Sequence, residues 1–341
     1  MSMRYREKTI ESMQLADAPY VVIDWVLGNY CNYQCSYCWP EAHDGTDRVP
    51  PIDDVMRSNI KHLVDQMLSV PENSGKDVVF TLSGGEPTMY HDMDELLDFL
   101  SEIGKVWVIT NGSRTLNWWE RNGHKFDDVL ISYHTKSAEY DHVSAVIKSM
   151  LGKQWLSLHV MVNPNDFEQA VDIYKRFSSE FDDQPVNIMY KLIMDVNTGQ
   201  TLPYTAEQMQ VLDSLPRHRA NMPRRVFERV VMNLEDGAAV EWSHDVPKDL
   251  SGSFRDYDCY AHHQFITVDR QGRVGMHACR QHWHDRISVY NPQFKDKFKL
   301  SHDAITCERD WCGCLGLYQT NKLRIADLSQ RPVRDQNFIP W

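Results

Sequence analysis

"YVVIDWVLGNYCNYQCSYCWP", residues 20–40, decides how this chain folds. Residues 20–28 form a β-rich, nearly continuous apolar run, the pattern of a strand covered on both faces in a parallel sheet. The run leads straight into Cys31, Cys35 and Cys38, three thiols within eight positions. Structural zinc takes four protein ligands, and C-x3-C-x2-C is not the spacing of a zinc-ribbon knuckle. A [4Fe–4S] cluster also has four corners, so three thiolates would leave one iron open to a ligand that is not protein.

Outward from this stretch, strand and helix signals alternate. Ile52, Val55, Ile60, Leu63, Val64, Met67 and Leu68 recur at helical spacing. "DVVFTLSGG" (77–85) is a second strand that halts at two glycines. "DMDELLDFLSEIG" (92–104) reads as a helix, with Asp92 and Glu95 as its capping box and Gly104 as its stop. Further strands are predicted at 105–112, 128–134, 156–164 and 186–194. A helix capped by Asn165 follows the fifth strand, and Thr205 with Gln208 opens another as a capping box. Such alternation implies parallel βα units. Beyond a boundary near residue 235 the pattern changes. Residues 263–279 read as a β-hairpin around Gly272, with a cysteine near each end.

The net charge is −12. That balance disfavours long nucleic acid, which selects a basic face. The run "MPRRVFERV" (222–230) reads as a solvated helix face rather than such a patch. No apolar run approaches the ~20 residues that a membrane span needs. Residues 1–19 mix both charges without an apolar core, so no signal peptide is expected, and the cytoplasm is the default compartment. Eight cysteines in such a protein argue for metal rather than a disulfide framework.

"CNYQCSYC" resembles the signature of the radical S-adenosylmethionine (SAM) superfamily, C-x3-C-x-aromatic-C, with Tyr37 as the aromatic. "SGGEP" (83–87) is similar to that family's GGEP motif, while "TNG" (110–112) and "SYH" (132–134) resemble its third and fourth strand ends. The resemblance covers roughly residues 20–200 and implies a partial (β/α)6 TIM-like barrel over 20–235, after a lead-in of residues 1–19. It implies that Cys31, Cys35 and Cys38 hold a [4Fe–4S] cluster whose open iron binds SAM. Gly84 and Gly85 would let backbone approach the methionine end, Glu86 would meet the SAM ammonium and Pro87 would fix the chain. Tyr37, Asn111, Ser132 and His134 would line the SAM site. Lys136 and Lys148 are candidates for its carboxylate.

Cys259, Cys279, Cys307, Cys312 and Cys314 form a second group. It resembles the SPASM and twitch extensions of the same superfamily, which implies an α+β cluster domain over 236–341 with one auxiliary [4Fe–4S] cluster. Four of the five would be ligands: Cys259, Cys279 and two of the last three. A zinc site is the alternative. His262, His263, His277, His282 and His284 crowd the region and are expected at the surface or as outer-shell donors.

By this resemblance, reductive cleavage of SAM gives a 5′-deoxyadenosyl radical that takes hydrogen from the substrate, with an electron donor such as flavodoxin or ferredoxin as partner. Small molecules (a sugar, amino acid or nucleotide) are preferred as substrate. Peptide-modifying members often carry an N-terminal recognition domain, and only about twenty residues precede the first strand here. A peptide substrate and a non-enzymatic iron–sulfur or zinc module are the alternatives.

Overall fold

The computed structural model describes residues 10–15, 20–38, 43–195, 201–216, 230–234, 237, 239–242, 257–276, 283–301, 303–307 and 322–324. Strands and helices alternate as β1 (Ile10–Leu15), β2 (Tyr20–Val26), α1 (Asp54–Leu68), β3 (Asp77–Ser83), α2 (Met93–Ile103), β4 (Lys105–Thr110), α3 (Leu116–Asn122), β5 (Asp128–His134), α4 (Tyr140–Met150), β6 (Trp155–Val162), α5 (Phe167–Glu180), β7 (Asn187–Leu192) and α6 (Ala206–Ser214). Then come β8 (Val230–Leu234), β9 (Ala239–Trp242), β10 (Tyr257–Cys259), α7 (Ala261–Gln264), β11 (Phe265–Val268), β12 (Arg273–Met276), β13 (Trp283–Ser288), α8 (Phe294–Lys297), β14 (Ile305–Thr306) and β15 (Lys322–Arg324).

The six strands predicted from apolar runs are β2 to β7, each within two residues of its expected bounds. They pair in parallel in chain order, as a (β/α) unit requires. Odd residues of β2 and even residues of β3 pack against the helices: Val21, Ile23, Trp25, Val78, Phe80 and Leu82 join Ile60, Leu63, Leu96 and Leu97 in the main core. The other face carries a small apolar floor of Tyr20, Val22, Val79 and Phe265. The sheet stays open between edges β7 and β13, so the barrel is partial.

The hairpin around Gly272 is present, with φ +74° at the glycine. Its first strand, β11, pairs in parallel with β2, so the hairpin extends the barrel's own sheet. A second, six-stranded sheet runs β14-β10-β15-β1-β8-β9. It draws β1, from the expected lead-in, between the C-terminal strand β15 and β8.

Two local expectations are corrected. Asp92 does precede α2, but its carboxylate makes no cap bond there; it accepts from Ile52 N at 3.0 Å, tying α2 to the entry of α1. Asn165 does not cap α5; Asn163 accepts from Asn165 N across a short 3-10 turn, and Asp166 precedes the helix. Helices α3 and α4 were not read from the sequence. The Thr205–Gln208 capping box of α6 is as expected.

Candidate active site

The loop after β2 is clamped where it leaves the sheet. Leu27 N donates to Ser83 O at 2.7 Å, and Glu86 N donates to Tyr30 O at 2.7 Å. A Cβ on Gly85 would stand 2.2 Å from Tyr30 O, and one on Gly84, at φ +132°, would stand 2.8 Å from Gly28 O. The two glycines therefore admit the backbone of the cysteine loop. Buried Asn29 secures the returning chain. Its side chain donates to Asp44 Oδ1 at 2.6 Å and accepts from Asp47 N at 2.8 Å.

Glu86 is 2% exposed, and its carboxylate is committed to this chain. Oε1 accepts from Thr88 N (3.0 Å), Thr88 Oγ1 (2.6 Å) and Thr110 Oγ1 (2.6 Å), and Oε2 accepts from Asn111 N (2.5 Å). Burial pushes its pKa up while these donors pull against the rise. The carboxylate thus braces the ends of β3 and β4. Pro87 opens the 3-10 turn Pro87–Met89 that continues the brace. Asn111 lies close to the cysteine loop: Nδ2 donates to Asn32 Oδ1 at 3.0 Å and lies 3.8 Å from Cys31 Sγ.

Cys31, Cys35 and Cys38 are half-buried and free of disulfides. Desolvation pushes the Cys31 thiol up to about 11, and the charges of Glu86, Cys35 and Cys38 add to the rise. A bound metal cluster would stabilise the deprotonated form of all three. The donor set, three soft sulfurs, fits an iron–sulfur cluster.

Beside Cys35 lies a cavity of about 240 Å³, at the C-terminal ends of β5 and β6. Ligands of parallel α/β folds gather at that edge. Tyr37, His134, Met161 and Asn163 line it. The Tyr37 hydroxyl and His134 Nδ1 share a 2.6 Å hydrogen bond, and their rings stack at 5.9 Å. Burial pulls His134 down to about 4, so it is neutral. Ser132 lies one step deeper on the same inner face, opposite His159.

Lys136 reaches the rim but is paired with Asp166 at 3.0 Å. Lys148 belongs to α4, on the helix side, and is paired with Glu180 at 2.6 Å. Met161, Asn163 and Asp166 escaped the sequence reading; the register of β6 against β5 is what brings them to His134.

Of the second cysteine group, Cys259 and Cys307 are described. Cys259 opposes Ile305, and Cys307 N donates to Tyr257 O at 2.8 Å. The antiparallel register puts both thiols on one face as diagonal neighbours, about 7–8 Å apart along the backbone. Cys279, Cys312, Cys314, His277 and His282 lie outside the described residues, as does the side chain of His284 in β13. His262 and His263, expected at the surface or as outer donors, are buried at 1% and 3% exposure. His263 Nε2 is hydrogen-bonded to Ser301 O at 3.0 Å.

The sequence model of the Radical SAM superfamily matches residues 25–197, half of the chain, and the protein belongs to that superfamily. Membership implies a [4Fe–4S] cluster, SAM and a reductant. Among curated relatives, the chain is 27% identical over 154 residues to the 7-carboxy-7-deazaguanine synthase of Bacillus cereus, covering 43% of this chain and 60% of that one. It is 32% identical over 113 residues to a GTP 3′,8-cyclase of Stenotrophomonas maltophilia, covering 31% of each. The match thus spans less than two thirds of either relative. A solved structure, anSMEcpe with bound AdoMet, shares 17% identity over 52% of each chain, with a TM-score of 0.39. Among the described residues no helix is long and apolar enough to cross a membrane.

Proposed function

We propose that this chain is a radical SAM enzyme acting on a small molecule, with a nucleotide or a purine-like base as the favoured class. One observation carries the chemistry: three free thiols on a loop pinned to β3, next to a cavity at the C-terminal strand ends. Cys31, Cys35 and Cys38 would hold the cluster, which with bound SAM supplies one electron and a 5′-deoxyadenosyl radical. The chain's task is then placement. Glu86, Thr88 and Thr110 keep the loop's base rigid. Tyr37 and His134 form a stiff aromatic wall for the adenosyl group, and the neutral imidazole adds no charge to it. The preference for a nucleotide or base rests on the named relatives, a GTP cyclase and a deazaguanine synthase.

An auxiliary [4Fe–4S] cluster in a unit spanning 236–341 is part of the proposal. Cys259, on β10, and Cys307, just past the paired strand β14, would be two of its ligands, with the others drawn from Cys279, Cys312 and Cys314. A flavodoxin- or ferredoxin-like protein would deliver the electron.

Anaerobic reconstitution with iron and sulfide, then SAM and dithionite, tests the reading. 5′-Deoxyadenosine and methionine are expected, and their absence from protein with intact iron–sulfur absorbance rejects it. Replacing Cys31, Cys35 and Cys38 by Ala is expected to remove about four irons per chain. Replacing Cys259 and Cys307 is expected to remove about four more; an unchanged iron count, or a loss of zinc instead, rejects the second cluster.

A further inference from the structure

β7 is an edge strand of the barrel sheet, and its residues divide cleanly between two faces. Ile188 is buried in the main core, and Tyr190 and Leu192 pack against that core, on the helix side. Asn187, Met189 and Lys191 therefore face the inner side. Lys191 stands opposite Met161, which stands opposite His134. One register row thus runs from the cavity wall to Lys191 across two strand spacings, about 10 Å.

Lys191 differs from Lys136, at the cavity rim, and from Lys148, on the helix side. Lys136 and Lys148 each hold a carboxylate, whereas Lys191 makes no ion pair or hydrogen bond among the described residues. Its side chain is open to solvent on the edge strand, and the bulk of its neighbours lowers its pKa. Two methionines flank it on the inner face: Met161 stands opposite, and Met189, 47% exposed, lies two residues back on the same strand. Large apolar side chains left open on a concave face are a surface for a ligand's apolar body. A cation at the end of such a floor selects an oxyanion, because a charge-assisted contact there offsets desolvation on both partners.

We infer that Lys191 anchors the substrate, and that the substrate is an apolar, ring-like body bearing a carboxylate or phosphate. This rests on the radical SAM reading above. The anchor holds one end of the substrate about two strand spacings from the cavity wall, so the carbon that loses hydrogen lies between Lys191 and His134.

The test is calorimetric titration of anaerobic holoenzyme loaded with SAM, using two pairs of probes. One pair is GTP against guanosine, and the other is 7-carboxy-7-deazaguanine against 7-deazaguanine. At least one charged probe is expected to bind tenfold or more tightly than its uncharged parent, and the pair that responds tells phosphate from carboxylate. Lys191→Gln is expected to abolish that preference and Lys191→Arg to keep it, with SAM affinity changed less than twofold in both. No preference in the wild type, a preference that survives in Lys191→Gln, or a parallel loss of SAM affinity overturns the assignment. Formation of 5′-deoxyadenosine by the wild type, scored separately, reports the radical SAM reading itself.

Discussion

Glu86 shows how a motif residue can shape the backbone around a site. Its two oxygens collect four donors from three residues at the ends of β3 and β4. Glu86→Gln replaces one acceptor by an NH2 that must face a donor, leaving at least one buried group unsatisfied. A loss of ~2–3 kcal/mol is expected, read as a lower urea midpoint at unchanged slope. Iron content after reconstitution should fall with it, because the cysteine loop hangs from this brace. Gly85→Ala acts by another route. Its Cβ would meet the Tyr30 carbonyl at 2.2 Å, backbone against backbone, and neither side yields cheaply. The expected cost is at least ~2 kcal/mol, with poorer cluster loading than any cysteine-sparing surface variant shows.

At the scale of elements, one contact ties α1 to the chain after β13. Buried Asn59 on α1 donates from Nδ2 to Val289 O and Asn291 O, both at 2.9 Å. Asn59→Ala leaves two carbonyls without that donor, and a loss of ~2 kcal/mol in urea unfolding is expected. If the midpoint does not move, this contact is not what joins the C-terminal strands to the barrel helices. Local signals located the elements well where burial was strong: β2 and β3 show as apolar runs and α1 as a 3.6-residue period. Helix α3 is too short for its Trp118–Trp119 pair to set a period, and α4 carries its period at Val143, Val146, Ile147 and Met150 without a side-chain cap to mark its start. The Asp92 reading failed for a related reason. A cap residue is defined by where its oxygens go, and these go to Ile52.

At the scale of the molecule, Asp24 sits on the barrel's inner face between Thr81 and Thr267, and burial raises its pKa from 3.8 to about 7. A carboxyl whose folded pKa lies above its unfolded value binds its proton more tightly in the folded state. Its contribution to stability is full below pH 4 and is lost as pH rises to about 7, by up to ~4 kcal/mol. Asp24→Asn removes that dependence. Its melting temperature relative to wild type should therefore climb between pH 4 and 7 and then level off. A difference that stays flat with pH would show that Asp24 titrates normally.

The chain order of residues alone determined the fold class and the thiol triad. Apolar period and cysteine spacing are local properties, readable along one strand or one loop. Only the tertiary structure decided what Glu86, Gly84 and Gly85 do, that β11 joins the edge of the barrel, and that Lys191 shares a row with His134. Those facts depend on strand register and on backbones meeting from distant parts of the chain. A shift of one residue in register would turn Lys191 to the helix side, and nothing in "VNIMYKLIM" by itself chooses between the two.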